Sequence, residues 1–377
     1  MKCKICKSKL KFILKVPNSF RGSSLYTCEK CTLIQTKYSK NYVQENDPHS
    51  TKFKGKRLVT SSSGTRWGNI RHGKQLRFNS HKNILDKIFA KYSIKSVFDD
   101  GSNRGTFAKY CQKKKLRYTG CEPDLLCFSN YQNIKYKILN IKTENYKKKK
   151  KFDFVYSVHT LEHVENLTKH LNKISNIMGK NSILFLEVPN TNQIYYENKI
   201  YEEYFIDKHL NHFTPKVILQ LLEKFGFYSE QIISNQFNMI LILRKKKIKS
   251  SKELQVIDVV NDYYSSKKKT EIQIKNITKK INKIKKNNKV IFFGAGRILN
   301  TFFENGLDNN NVVCLIDNFL YGKVKSNNNL KIYNSKYLNK LNKNNIIFIF
   351  AREAEESIYL DLKKMNFKFI KKISDFF

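Results

Sequence analysis

Short apolar runs alternate along most of this chain with stretches in which apolar residues return every three or four positions. The runs Val97–Asp99, Tyr118–Glu122, Phe154–Ser157 and Ile183–Val188, followed by Phe227–Ser234 and Met239–Leu243, predict strands. Helical spacing predicts helices over Leu76–Tyr92, Thr106–Lys114, Leu167–Met178 and Pro215–Phe225. Strands that are apolar almost throughout, alternating with helices, imply a parallel sheet covered on both faces. The short connection between the last two strands predicts an antiparallel final pair, and the lysine run at 147–151 a solvated loop. Residues 244–288 lack Pro and Gly and carry Ile272, Ile274, Ile277, Ile281 and Ile284 at loosely helical spacing, as a linking helix would. A second strand–helix–strand unit follows, from Val290–Gly296 to Val312–Asp317.

Composition narrows the class. With 377 residues, 40% hydrophobic and 13% aromatic, the chain has material for two or three folded domains. No apolar run approaches the roughly 20 residues that span a bilayer, and Met-Lys-Cys-Lys is unlike a signal peptide, so a cytoplasmic location is expected. The net charge of +41 would attract any polyanion. Yet only ten of the 72 basic residues are arginine, the side chain that reads bases bidentately, and the excess lysine accompanies abundant Asn and Ile. Compositional drift toward lysine is therefore the favoured reading, and a nucleic-acid partner is not expected.

Four of the eight cysteines form two C-x-x-C pairs, Cys3/Cys6 and Cys28/Cys31. Each pair offers two sulfurs from one tight turn, the pattern of a tetrathiolate zinc ribbon over residues 1–45. Disulfides are the weaker alternative in a reducing compartment. With four protein ligands the zinc would be structural. Residues 46–75 are polar and contain Ser61–Gly64 and Trp67, a composition suited to a lid-like loop.

The chemistry is expected at the first strand end. In Asp99-Asp100-Gly101-Ser102-Asn103-Arg104-Gly105 an apolar strand ends in an acid, and two glycines flank the turn into a helix. Such a turn lets a ligand approach the backbone closely. Glu122 closes the next strand, where a carboxylate can accept from both ribose hydroxyls. This D-x-G-x-x-x-G with its following acid resembles the first two motifs of class I S-adenosylmethionine methyltransferases. Asn103 stands at the central glycine position, a change its tolerance of left-handed geometry allows. Ser157, His159 and His163 fall at the ligand edge of the third strand, and His209 lies between the fourth strand and the helix from Pro215. A neutral imidazole there can remove a proton near pH 7. In the C-terminal unit Gly294 and Gly296 precede a helix and Asp317 ends the next strand, a degraded dinucleotide fingerprint with Leu299 in place of its third small residue.

Taken in order, the Cys3/Cys6/Cys28/Cys31 ribbon, Asp99-x-Gly101-x-x-x-Gly105, Leu161-Glu162-His163-Val164 and Gly294-Ala295-Gly296 with Asp317 resemble the three-domain, zinc-binding sugar C-methyltransferases that act on nucleotide-linked keto-deoxysugars. The resemblance implies an α/β fold: a class I methyltransferase Rossmann-like core at 46–243, a helical linker at 244–288 and a C-terminal Rossmann-like domain at 289–377. It implies S-adenosylmethionine held by Asp99, Gly101, Asn103, Gly105, Glu122 and Ser157, and structural zinc. His163 and His209 would be catalytic, the latter favoured as base. A sugar or nucleotide-sugar acceptor is expected, with Gly294, Gly296 and Asp317 either toward the substrate's nucleotide or forming a packing turn with no ligand. The family's Tyr-His-Glu-His segment is replaced here by Ile206-Asp207-Lys208-His209, with Tyr204 nearby. An RNA or protein methyltransferase, or a non-catalytic nucleotide-binding protein, are the alternatives.

Overall fold

The structure, a computed structural model, describes residues 2–16, 21–46, 73–191, 209–234, 238–245, 259–318, 320–322, 326–351 and 354–377. Most of the expected lid at 46–75, together with Tyr204, Asp207 and Lys208, lies outside the described residues.

The chain begins with three short strands, β1 (Leu10–Lys15), β2 (Ser24–Cys28) and β3 (Ile34–Lys37). Next come α1 (Gly73–Lys91), β4 (Ser96–Asp100), α2 (Thr106–Lys113), β5 (Arg117–Cys121), β6 (Ile138–Leu139), β7 (Phe152–Val158), α3 (Leu167–Ile177) and β8 (Met178–Pro189). The two-residue β9 (Asn211–His212) precedes α4 (Pro215–Glu223), β10 (Tyr228–Ser234) and β11 (Asn238–Arg244). The C-terminal part contains α5 (Val259–Lys285), β12 (Val290–Phe293), α6 (Arg297–Glu304), β13 (Val312–Ile316), β14 (Ser326–Asn327), β15 (Leu330–Tyr333), β16 (Ile346–Ile349), α7 (Glu355–Lys364) and β17 (Ile370–Lys372).

These strands form three sheets. The central one runs β10-β11-β8-β7-β4-β5-β6, parallel from β8 to β6 and antiparallel at β8–β11–β10. All five residues of β4 are buried, as a middle strand covered on both faces requires. Asp153 tethers the starts of β7 and β4: its Oδ2 accepts from the Lys95 and Ser96 amides at 2.9 and 2.8 Å and from the Ser96 hydroxyl at 2.9 Å. Helix α3 buries Leu167, His170, Leu171, Ile174 and Ile177, one stripe at helical spacing. Its amino end is closed by Asn166, whose side chain accepts from Lys169 N–H, and α4 is closed likewise by Thr214 with Pro215 in its first turn. The lysines at 147–151 are exposed.

The C-terminal sheet runs β14-β15-β13-β12-β16-β17 and is parallel from β15 to β17. The first sheet is β1-β2-β3-β9, so a segment from beyond β8 completes it, pairing Ile34 with His212 and Gln35 with Asn211. Two faces of this small sheet are covered by different partners. Ile13, Leu14, Val16, Leu25 and Ile34 share a core with Ile274, Ile277 and Ile281 of α5 and with Leu299 and Phe302 of α6. Leu33 joins the core of the central sheet instead. The small sheet therefore packs against both the C-terminal part and the central sheet. Leu299, the residue that degrades the C-terminal fingerprint, is fully buried in this shared core.

Candidate functional site

The turn after β4 is built for close approach. Gly101, Asn103 and Gly105 have φ of 82°, 46° and 72°, the left-handed region that glycine and asparagine enter most readily. A Cβ on Gly101 would overlap the Thr160 hydroxyl, and one on Gly105 would overlap Ile134 Cδ1. Glu122 sits just past β5, 7% exposed, and closes the turn from the other side. Its Oε2 accepts from Asn103 N–H and its Oε1 from Asp124 N–H, both at 2.8 Å. Burial raises its carboxyl above the usual range, against the pull of those two amides. Each oxygen keeps a further lone pair for a ligand hydroxyl.

Asp99 occupies the layer beneath that turn. Asp99 is 2% exposed and accepts from the Tyr118 hydroxyl; burial pushes its carboxyl up to about 7. The next residue, Asp100, points to the opposite sheet face, as alternation along a strand dictates. It accepts from Ser157 Oγ at 2.7 Å and from Thr143, and meets His170 Nε2 at 3.0 Å. Glu144 reaches the other His170 nitrogen at 3.4 Å. Burial alone would lower the His170 pKa, but the Asp100 charge outweighs it and the imidazole is pushed up to about 10. Ser157, read from the sequence as a cofactor contact, directs its hydroxyl into this buried network.

At the carboxyl end of β7 the chain turns sharply at His159, whose φ is 51°. Thr160 Oγ1 donates to Asp100 O at 2.9 Å, which sets the turn directly against Gly101. A short helical turn, Leu161–His163, then presents Glu162 and His163. Residues after 208 return to the same place: Leu210 N–H donates to Glu162 O at 2.7 Å, and Asn211 Nδ2 donates to Val164 O at 2.8 Å. His209 is thereby brought to His163, ring centroids 4.8 Å apart. Around them runs a series of alternating imidazoles and carboxylates. His81 Nε2 lies 2.8 Å from Glu187 Oε2, Glu187 Oε1 lies 3.6 Å from His159 Nε2, and His159 Nδ1 lies 3.0 Å from Glu162 Oε1. His163 Nε2 is 3.8 Å from that same oxygen. Burial would raise both carboxyls, but the neighbouring histidines hold Glu162 and Glu187 below the usual range. Burial pushes His212 down to about 3, so it is neutral where it meets Thr36 Oγ1 at 2.8 Å.

The structure thus gathers Gly101, Asn103, Gly105 and Glu122 in one turn and His163 and His209 beside it. Sequence reasoning missed Glu162, Glu187, His81, Asp100 and His170 as participants. The signals available were a histidine inside the apolar stripe of α3 and a second acid at the end of β4.

In the ribbon, Cys3 and Cys31 Sγ are 3.6 Å apart and Cys6 and Cys28 Sγ 3.3 Å. Tetrahedral thiolates about a zinc would stand roughly 3.8 Å apart, so the four sulfurs fit that ion closely. Gln35, fully buried, donates to Cys3 Sγ at 3.3 Å and accepts from Lys4 N–H at 3.2 Å, the kind of outer contact that orients a ligand. In the C-terminal unit Gly294 has φ 98° and its Cβ position lies against the Ala351 amide, whereas among the described residues nothing lies within 4 Å of a Cβ on Gly296. Asp317 Oδ2 accepts from Ala295 N–H and Oδ1 from Leu320 N–H, both at 2.9 Å, so this acid braces the glycine turn.

Residues 74–232 match the model of a family described as a methyltransferase domain. Solved structures of similar fold include 1,6-didemethyltoxoflavin-N1-methyltransferase from Burkholderia thailandensis, 14% identical, covering 40% of this chain and 71% of that one with a TM-score of 0.33. A SAM-dependent methyltransferase from Archaeoglobus fulgidus is 18% identical, with coverage of 44% and 93% and a TM-score of 0.36. A possible histamine N-methyltransferase from Thermotoga maritima is 20% identical, with coverage of 40% and 82% and a TM-score of 0.32. None of the curated proteins compared with the chain matches it. The chain carries a class I S-adenosylmethionine-dependent methyltransferase domain and is an enzyme of that class. Its Rossmann-like core is an α/β fold with mixed sheets. No described helix is long and apolar enough to cross a membrane.

The donor turn fits S-adenosylmethionine on its own chemistry: two positions where a Cβ cannot stand, and a buried carboxylate with unused lone pairs at the strand edge. When bound, this cofactor supplies an electrophilic methyl carbon on a sulfonium.

Proposed function

We propose that the enzyme methylates a sugar, carried on a nucleotide, with Gly101, Asn103, Gly105 and Glu122 holding the donor and His163 and His209 lining the acceptor. Asp99 supports the donor turn from below, and Ser157 does so through its bond to Asp100. The observation that carries this reading is the contact of Thr160 with Gly101, which sets the turn bearing His163 against the donor turn, with His209 packed on His163. Methyl transfer is an in-line displacement, so the protein aligns the two partners and removes one proton, an imidazole serving as base. The acceptor's nucleotide is assigned to the C-terminal unit at 289–377, where Gly296 leaves open space before α6 and Asp317 fixes the turn. The ribbon at 1–45 and the linker at 244–288 complete the same assignment of domains to the chain.

Purified protein given labelled donor should add one methyl group to a member of a panel of nucleotide-linked sugars, read by mass spectrometry. His209→Ala should lower the turnover number by about 10²–10⁴, the range of a lost acid–base group. Methylation of RNA or protein in place of every sugar would overturn the acceptor assignment.

Structural zinc is part of the same proposal. Metal analysis of purified protein should find a zinc on Cys3, Cys6, Cys28 and Cys31. Cys28→Ser should lose that zinc and most soluble yield, because structural zinc contributes folding free energy directly. Folded wild-type protein without zinc would refute it.

A further inference from the structure

Glu162, His163 and His209 have a joint property that none of them has singly. One ligand atom from each, a carboxylate oxygen and two imidazole nitrogens, lies within 4.8 Å of the others. Side-chain adjustments of about an ångström would bring all three to bonding distance of one ion at about 2.0–2.2 Å. We propose that these three residues hold a divalent transition-metal cation, a site separate from the ribbon cysteines, and that the acceptor binds to it through oxygen.

Four observations support the site. Glu162 is 1% exposed, and its Oε2 has no hydrogen-bond partner among the described residues, an arrangement a buried carboxylate rarely keeps without a ligand. The ligands come from two segments locked together by a backbone bond, Leu210 N–H to Glu162 O, and a side-chain bond, Asn211 Nδ2 to Val164 O, so the cluster is preorganised. His159 Nδ1, 3.0 Å from Glu162 Oε1, fixes the carboxylate as outer partners of metal ligands do. His163 is 39% exposed at its side chain, so the cluster opens toward solvent on the side an acceptor would enter.

The donor set selects the metal. Two imidazoles and one carboxylate suit Mn²⁺, Fe²⁺, Co²⁺ or Zn²⁺ better than Mg²⁺ or Ca²⁺, and three protein ligands leave positions open for substrate. A sugar hydroxyl at such a position loses its proton far more readily than in water. The oxygen then attacks the methyl carbon of S-adenosylmethionine. The O–CH₃ bond forms as the S–CH₃ bond breaks, sulfur keeps the electron pair and becomes a neutral thioether, and the hydroxyl proton passes to solvent. The two imidazoles act as ligands, and acidification of the hydroxyl takes over the role assigned above to an imidazole alone. This chemical half rests on the methyl-transfer reading and names oxygen as the acceptor atom; the binding half does not depend on it.

The test uses the full chain with its ribbon cysteines loaded with zinc, and Mn²⁺ as probe, because manganese prefers nitrogen and oxygen to thiolate. Electron paramagnetic resonance should count one bound Mn²⁺ per chain. Glu162→Gln, nearly isosteric, and His163→Gln, at a half-exposed position, should each weaken Mn²⁺ binding at least 10-fold with unchanged circular dichroism. Glu165→Gln, an exposed neighbour, should not. Failure of the wild type to bind Mn²⁺, Co²⁺ or a second Zn²⁺, or equal binding by wild type and both variants, would overturn the site. Sugar methylation that survives removal of this metal at full rate would overturn its part in the chemistry. Metal binding without turnover on any sugar would leave the site standing and remove the acceptor assignment instead.

Discussion

Alanine in place of Glu122 is expected to weaken S-adenosylmethionine binding by on the order of 100-fold, measured by calorimetric titration. The lost contacts would be one or two hydrogen bonds to an ionised acceptor, each about 1.5–3 kcal/mol. The same carboxylate also gathers the Asn103 and Asp124 amides, so its removal frees the turn that approaches the donor. Glu122→Gln should fall between the two, since an amide keeps one acceptor oxygen but turns an NH₂ toward a backbone donor. Unchanged affinity in the alanine variant would show that the donor is held elsewhere.

Replacing His170 with alanine is expected to cost about 3–5 kcal/mol of stability, the usual result of stranding one member of a buried ion pair. Asp100 and His170 are 1% and 2% exposed, so neither charge has water to fall back on. Denaturant unfolding would read the loss, and a variant within 1 kcal/mol of wild type, by that same expectation, would contradict it. Changing Asp100 to Asn as well should recover part of the cost, because contacting residues are not additive. The pair also carries a pH signature. Since the His170 pKa is raised to about 10, its contribution is complete below the ordinary imidazole value near 6.5 and declines as pH rises through 10. The Asp100 carboxyl is lowered, its burial cost outweighed by His170, so its share is present above about 3.9 and lost as pH falls through the depressed value. The difference between wild type and His170→Ala should follow this window.

The glycine turn after β4 was legible as a structure because its parts are consecutive. A strand end, two glycines and a helix start are fixed by local backbone rules, and Asn103 adopts the left-handed φ its side chain tolerates. The strands and helices of the core were legible for the same reason, through periodicity within each segment. The series of imidazoles and carboxylates beyond β7 was only half visible. His163 and His209 stood at the sheet edge, but Glu187 and His81 meet His159 through the neighbouring positions of β8 and β7 and the packing of α1, which no spacing in the chain encodes. Asp100 looked like a repeat of Asp99 until strand alternation sent it to the other face. The fourth strand of the ribbon sheet was invisible, since two residues carry no periodicity. Nor did Ile13, Leu14 and Leu25 announce that their partners lie in the last third of the chain.

That fourth strand has a consequence for the order in which the molecule assembles. The glycine turn after β4 closes among residues near in sequence, whereas β9 joins β3 only after five of the central sheet's seven strands, β4 to β8, lie between them. Loop closure of that length is entropically slow, so the β3–β9 edge forms late. On the ribosome the ribbon would wait, one edge unpaired, until Asn211 and His212 emerge, and an unpaired edge invites association with other chains. A fragment ending before residue 211 should therefore aggregate through its N-terminal strands even with its cysteines loaded, while acquiring the glycine turn intact.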